Sequence, residues 1–406
     1  MGSSPLQAAA TAAAEAGAHW LTRDRVLGYA RIFVAIYLIA AIGWVALSAD
    51  MVDTKGKPLG YDFITFWAAS LLALGGEAVA SFDMARIAAV EHMAVPASED
   101  IFLWHYPPTF HLVVLPLALL PYVASYAAWT LGTFAANAAV VRRFAPRAET
   151  LWVFAAFPGV FINGFHGQNG FLTATLFGAA LLQLEKRPLA AGVFFGLLSC
   201  KPQLGLLVPI ALLCGGQWKA MFAAAATTLA FAGLSVAAFG IETWAAFWGN
   251  APLVQLLLDA GTLPWAKIPS LYIALRMLGV PVLPAYLLHG VLVLAVVVAL
   301  VLVWRSAAPL RLKGAVLVAG AVLVPPYLFD YDLVLLAIPI AILAWHGLER
   351  GWHTYEREIL VAAWLTPMVA PSLAEFAGAP VAVLILVALF AVAMRNALAE
   401  NAAARN

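Results

Sequence analysis

The chain has 406 residues, of which 64% are hydrophobic and only 11% charged, and its formal net charge is +1. A soluble domain carries about 25% charged residues, so soluble and disordered folds are excluded, and near-neutrality leaves no basic face for a nucleic acid. The apolar residues come in long blocks without the ~10-residue alternating segments of a membrane β-barrel, which predicts an all-α polytopic membrane protein.

Residues 1–25 are Ala-rich and polar and are expected to form a mobile cytoplasmic tail. Arg23 and Arg25 precede the apolar run Val26–Ser48. That run exceeds a signal-peptide core of about 7–15 residues, and Leu47 spoils a small-x-small cleavage site ending at Ala49. An uncleaved first span is predicted, of the ~20 residues a bilayer demands. The loop 49–108 follows, with Gly60-Tyr61-Asp62-Phe63 and then Thr65-Phe66-Trp67 at the start of an amphipathic helix. His105-Tyr106-Pro107-Pro108 opens the stretch Thr109–Leu120, too short to cross and read as re-entrant or interfacial, whereas Tyr122–Val141 crosses. His166-Gly167-Gln168-Asn169 is a polar turn between two short spans. The block Pro188–Gly215 is interrupted at Lys201-Pro202-Gln203, so two short helices should meet there. Cys200 and Cys214 lie in this block and read as buried thiols rather than a disulfide framework. Further spans come at Met221–Phe239 and Ala285–Trp304, separated by the loop 240–284 with Pro264-Trp265-Ala266-Lys267 and Tyr272. Pro325-Pro326-Tyr327 and Phe329-Asp330-Tyr331-Asp332 precede the last spans, which end near 397, and residues 398–406 form a second cytoplasmic tail.

Lys and Arg in short loops mark the cytoplasmic side. Arg142, Arg143 and Arg147, then Lys186 and Arg187, Lys219, Arg305, Arg311 and Lys313, Arg350 and Arg357, and finally Arg395 and Arg405 punctuate the chain. An even number of crossings between neighbouring clusters gives about ten to twelve spans with both termini inside. All the polar interruptions then converge on the outer face, where ionisable groups near membrane depth point to function.

Each interruption admits two readings. Asp62 among aromatics is placed either to cap the helix after it or to act as a general base. The tandem prolines after His105 and Tyr106 are a stiff helix entry or part of a site. Gln168 and Asn169 are ordinary loop residues or ligands for sugar hydroxyls. Lys201 in an apolar block costs a few kcal/mol unless it snorkels, finds a counter-charge, or binds an anion such as a phosphate. Asp330 and Asp332 either cap a helix or bind a ligand, and one carboxylate pair is weak grounds for a metal. His289 and Arg276 are expected to pack at interfaces. Motifs for ATP-driven transport and for serine hydrolysis are absent.

Four stretches resemble the GT-C membrane glycosyltransferases, and within them glycosyltransferase family 87, the polyprenol-phosphate-mannose-dependent mannosyltransferase-like proteins. They are GYDFITFWAA at Gly60–Ala69, HYPPTFHLVVLPLALLP at His105–Pro121, GQNGFLTATLFGAALLQL at Gly167–Leu184 and RPLAAGVFFGLLSCKPQLGLLVPIALL at Arg187–Leu213. The resemblance implies a GT-C fold across 26–397, with juxtamembrane helices outside and an extracytoplasmic active site. It implies a polyprenyl-phosphate sugar donor, carrying mannose or another hexose or pentose, and a glycolipid or glycan acceptor. The acidic residue of the first outer loop, here Asp62, would be the base, although Asp62 stands alone where such loops often carry two adjacent acids. Lys201, with His105, His166 and Lys267, would face the donor phosphate. Tyr61, Trp67, Tyr106, Gln168, Asn169, Gln203, Asp330, Tyr331 and Asp332 would face sugar or acceptor. No metal or other cofactor is expected, and composition suggests a bacterial inner membrane. The competing classes are a secondary transporter or lipid flippase, and a ligase or acyltransferase acting on lipid-linked glycans.

Overall fold

The computed structural model describes residues 20–404, and among them the fold is helical throughout, with only isolated bridges at Ala49–Val52 and Val52–Pro58 outside helices and turns. Most of the expected tail 1–25, together with Arg405, lies outside the described residues. Helix α1 (Arg23–Leu47) starts on Thr22, whose side chain accepts the Arg25 N–H as an N-cap. Next come α2 (Phe63–Leu74), α3 (Met84–Ala94), α4 (Pro108–Val114) and α5 (Tyr122–Phe144). The first broken pair is α6 (Ala148–Ala155) and α7 (Pro158–His166), bent by 56°. It leads into α8 (Gly170–Gln183), α9 (Pro188–Leu197) and α10 (Val208–Cys214), the last two parted by 3-10 turns around Lys201. The second half contains α11 (Trp218–Phe239), α12 (Ile241–Asp259), α13 (Leu271–Met277), α14 (Val282–Trp304), α15 (Leu310–Ala321), α16 (Ala337–Arg350), α17 (Glu356–Ala377) and α18 (Ala382–Ala403). Helix α18 runs on past the expected boundary at 397.

Among the described residues, six helices are long and apolar enough to cross a bilayer, or seven if α6 and α7 form one bent span. The expected spans at 170–183, 188–200 and 202–214 are shorter apolar helices, and Tyr122–Phe144, also expected to cross, is not among the six, so the count falls below that expected from charge parity. The shorter helices arise because prolines and polar residues interrupt the apolar runs. The protein is thus an all-α, multi-pass membrane protein.

The core sits around α15, where every residue from Gly314 to Ala321 is buried between α16 and α18. By contrast α1 and α11 bury only 6% of their most apolar windows, leaving their sides to the lipid. Helix α9 holds α11 through Gly192 and Gly196, a small-xxx-small pair that lets backbones approach. A Cβ at Gly192 would stand 2.3 Å from the Ala220 carbonyl oxygen, and one at Gly196 would stand 2.6 Å from Thr227. A second, aromatic core of Phe63, Phe66, Trp104, Phe110, Tyr122 and Trp129 fastens α2, α4 and α5 together. Arg23 pairs with Glu149 at the starts of α1 and α6, and the tilted rings of Trp44 and Phe165 pack with centres 3.8 Å apart near the ends of α1 and α7. The broken pair therefore runs alongside α1.

Candidate active site

The loop before α2 sets Asp62 by backbone and side-chain restraint together. Asp53 accepts the Lys55 and Lys57 N–H groups at 2.8 and 3.0 Å and the Tyr61 hydroxyl at 2.6 Å. Tyr61 is held at φ +44°, a left-handed conformation that a side chain adopts only at a cost of roughly 1 kcal/mol or more. Asp62 occupies the N-cap position of α2, yet its side chain makes no capping bond. The capping reading fails because the carboxylate is committed elsewhere: His166 Nδ1–H donates to Asp62 Oδ2 at 3.0 Å.

His166 reaches Asp62 because α7 ends sharply. Gly167 terminates it at φ +59°, and a Cβ there would lie 2.5 Å from that of Phe63. Only glycine lets this turn rest directly on the residue beside Asp62. From α5, Tyr126 donates to the Gly164 carbonyl at 2.7 Å and Trp129 to the Gly167 carbonyl at 3.0 Å, satisfying the exposed end of α7.

Burial pushes the Asp62 carboxyl up, but the hydrogen bond and charge of His166, then Gln168 and the charge of Lys267, hold it below the usual carboxylate range. It is ionised at neutral pH. Gln168 also accepts the Tyr106 hydroxyl at 3.0 Å, so Tyr106 lies in the same group. Burial and the charges of Asp332 and Asp62 raise the Tyr106 phenol well above its ordinary value.

Behind this layer lies the Lys201 group. Lys201, 3% exposed, donates to Asp332 Oδ1 at 2.5 Å and to Asn169 Oδ1 at 2.9 Å, and its ammonium sits 5.3 Å from the Tyr331 ring centre. Two of its three donors are used in these bonds, and at 3% exposure it does not snorkel. Asp332 is its counter-charge and not a helix cap. A phosphate contact from Lys201 would require breaking this buried pair. Asp330 is also buried, and its Oδ1 has no hydrogen-bond partner.

Lys267, on a 3-10 turn in the loop between α12 and α13, is half-buried and its side chain makes no hydrogen bond or ion pair, while its charge bears on both Asp62 and Asp330. Among the described residues it is the cation of this group left uncompensated. His105 differs: burial lowers its pKa to about 4, so it is neutral at pH 7 and brings no charge to a phosphate. Trp67 donates to the Leu120 carbonyl at 3.0 Å and packs edge-on to Tyr122, serving the aromatic core. Gln203 lies on the 3-10 turn after Lys201 and forms no hydrogen bond. Tyr61 presents its ring to His166 at 5.0 Å.

Two neighbours escaped the sequence reading. Tyr327 joins the group through the field of Asp62 and Asp332. Glu91 of α3, 2% exposed, accepts the Phe102 N–H at 3.0 Å and leaves its other oxygen unpaired. Burial raises its pKa to about 8. A lone acid inside the mostly apolar stretch Ile87–Val95 was the available signal.

The arrangement joins an ionised carboxylate held by an imidazole, an unpaired ammonium whose charge bears on it, and amide and phenol groups suited to hydroxyl-bearing ligands. Neither the curated proteins nor the solved structures contain a match to the chain. The family description "Glycosyltransferase family 87" matches residues 104–326, a stretch that includes His105, Tyr106, His166, Gln168, Lys201 and Lys267. The match spans more than half of the sequence, and the chain belongs to glycosyltransferase family 87.

Proposed function

We propose that this glycosyltransferase moves a sugar from a polyprenyl-phosphate donor to a hydroxyl of a glycolipid or glycan at the extracytoplasmic face of a bacterial inner membrane. The observation that carries the reading is Asp62 held by His166 at 3.0 Å in one polar group of a membrane bundle, with the uncompensated charge of Lys267 bearing on it. Asp62 Oδ2 is engaged by His166, and Oδ1 takes the proton of the acceptor hydroxyl. The acceptor oxygen bonds to the anomeric carbon as the carbon–oxygen bond to phosphate breaks. A single displacement inverts that carbon. The donor is a phosphodiester with one negative charge, and the departing polyprenyl monophosphate gains a second.

A fixed cation at the leaving oxygen stabilises the charge as it develops. The geometry favours Lys267 for this role over Lys201, because Lys201 is already neutralised by Asp332. Lys201 instead fixes Asn169 and Asp332, while Gln168, Tyr106 and Asp330 face sugar or acceptor. The phosphate roles first expected for His105 and His166 pass to Lys267: the one is neutral, the other holds the base. Mannose, the sugar implied by the family resemblance, is the first donor to try.

The test is stereochemical. Purified protein is supplied with a panel of polyprenyl-phosphate sugars of known anomeric configuration, and the product anomer is read by NMR coupling constants. Inversion is expected, whereas retention would require a covalent or double-displacement route and would sink the mechanism.

A further inference from the structure

Lys267 sits on a loop, and a loop cation is useful in a transition state only if its position is fixed before the reaction. The fold fixes it from behind. Asp259 is the last residue of α12, where a negative charge faces the negative end of the helix dipole. Its carboxylate, half-buried, is nonetheless engaged in contacts of a specific kind. Oδ1 accepts the hydroxyl of Tyr272 from α13 and, at 3.0 Å, that of Tyr286 from α14. The two phenol rings stack with centres 4.0 Å apart, so one carboxylate oxygen ties three helices together.

The same residue anchors the turn that carries Lys267. Arg276 donates to the Asp259 carbonyl and to the Val280 carbonyl, both at 3.0 Å, and its guanidinium lies 5.4 Å from the Trp265 ring centre. Trp265 donates its indole N–H to the Leu258 carbonyl at 2.8 Å. Trp265 opens the 3-10 turn, whose bonds from the Lys267 N–H to Pro264 and from the Ile268 N–H to Trp265 are both 2.9 Å. Ile268 is buried beside Tyr272, and Tyr327 and Phe329 pack on the same cluster next to Asp330. The chain on either side of Lys267 is therefore pinned, while its ammonium is left without a partner.

We propose that Asp259, through Tyr272, Tyr286 and the Arg276–Trp265 contact, is a positioning residue that aims Lys267 at the donor phosphate. The proposal rests on the phosphate role of Lys267, so the experiment separates the two. The probe is farnesyl phosphate, a short polyprenyl monophosphate, titrated calorimetrically into the full-length protein in detergent. Wild type, Lys267→Ala, Asp259→Ala and the double variant are compared, with hydrogen exchange followed over residues 262–270.

Lys267→Ala is expected to weaken binding about tenfold. Asp259→Ala, which removes the acceptor of both hydroxyls, should weaken it comparably and speed exchange over 262–270. The double variant should bind no more weakly than Lys267→Ala alone, because both changes remove one interaction. A general structural defect would instead add to the loss from Lys267→Ala, and additive losses overturn the proposal. Unchanged binding in Asp259→Ala with a loss in Lys267→Ala overturns the positioning role alone. Unchanged binding in Lys267→Ala removes the phosphate role and the proposal with it. Tyr272→Phe and Tyr286→Phe, which keep the ring stack, repeat the cycle if Asp259→Ala does not fold.

Discussion

In the proposed mechanism Asp62 is a base with one oxygen already held by His166, and that division of labour defines what its neighbour does. A carboxylate only accepts, so the His166 nitrogen facing it carries the proton, and Nε2 points away from the pair. If His166 positions the base, His166→Gln should lower turnover about tenfold, against roughly 10³-fold for Asp62→Asn. Equal losses in the two variants would make the imidazole itself the base. Glu91 gives a prediction of a different kind. Its folded pKa of about 8 stands above the ordinary 4.5, so the folded state keeps a proton the unfolded state releases. Stability must then fall as pH rises from about 4.5 to about 8 and level off above that. Glu91→Gln retains an oxygen for the Phe102 N–H and removes the titration. Thermal melts across that range should show a flatter pH slope in the variant, and parallel slopes would refute the assignment.

The elements meet at the site through breaks rather than through regular helix. The turn at 166–169 and the interruption at Lys201 were legible in the sequence, because polar residues and proline cut apolar runs at both places. Their partners were not. His166 lies 104 residues from Asp62, and Lys201 lies 131 from Asp332. Neither separation leaves a local pattern, so Asp332 stayed open between a cap and a ligand contact, and Lys201 between snorkelling, an unnamed counter-charge and a bound anion. The fold pairs the two. Asp259 was illegible for the same reason, since an acid at a helix end looks like any loop residue until two tyrosines close on it. The Lys201–Asp332 pair makes the element-scale prediction. Lys201→Met strands a buried carboxylate and should cost about 3–5 kcal/mol of stability, while adding Asp332→Leu should recover most of it. Denaturant or thermal unfolding of the three proteins measures this, and a double variant no more stable than the single would contradict the pairing as its cause.

At the scale of the whole molecule, the polar group and the arginine-rich ends separate. Asp62, His166 and Lys267 gather at one place, while Arg350 meets Glu400 and Arg395 meets Glu356 at another. The all-α membrane class followed directly from composition, since 64% hydrophobic residues in long blocks permit little else. The number of crossings was less legible, because short broken helices defeat a rule based on ~20-residue runs. With an extracytoplasmic site, a cysteine at Lys55 in a Cys200→Ala, Cys214→Ala background should react with an impermeant maleimide on intact cells. One at Arg350 should react only after permeabilisation, and the reverse pattern would invert the topology.

The central claim is that Asp62 drives sugar transfer from a polyprenyl phosphate. Its most direct test is the release of polyprenyl phosphate by wild type and by folded Asp62→Asn in liposomes, with a panel of polyprenyl-phosphate sugars and glycolipid acceptors. The account predicts donor-dependent release that falls by about 10³ in the variant. Release at the wild-type rate from Asp62→Asn would contradict it.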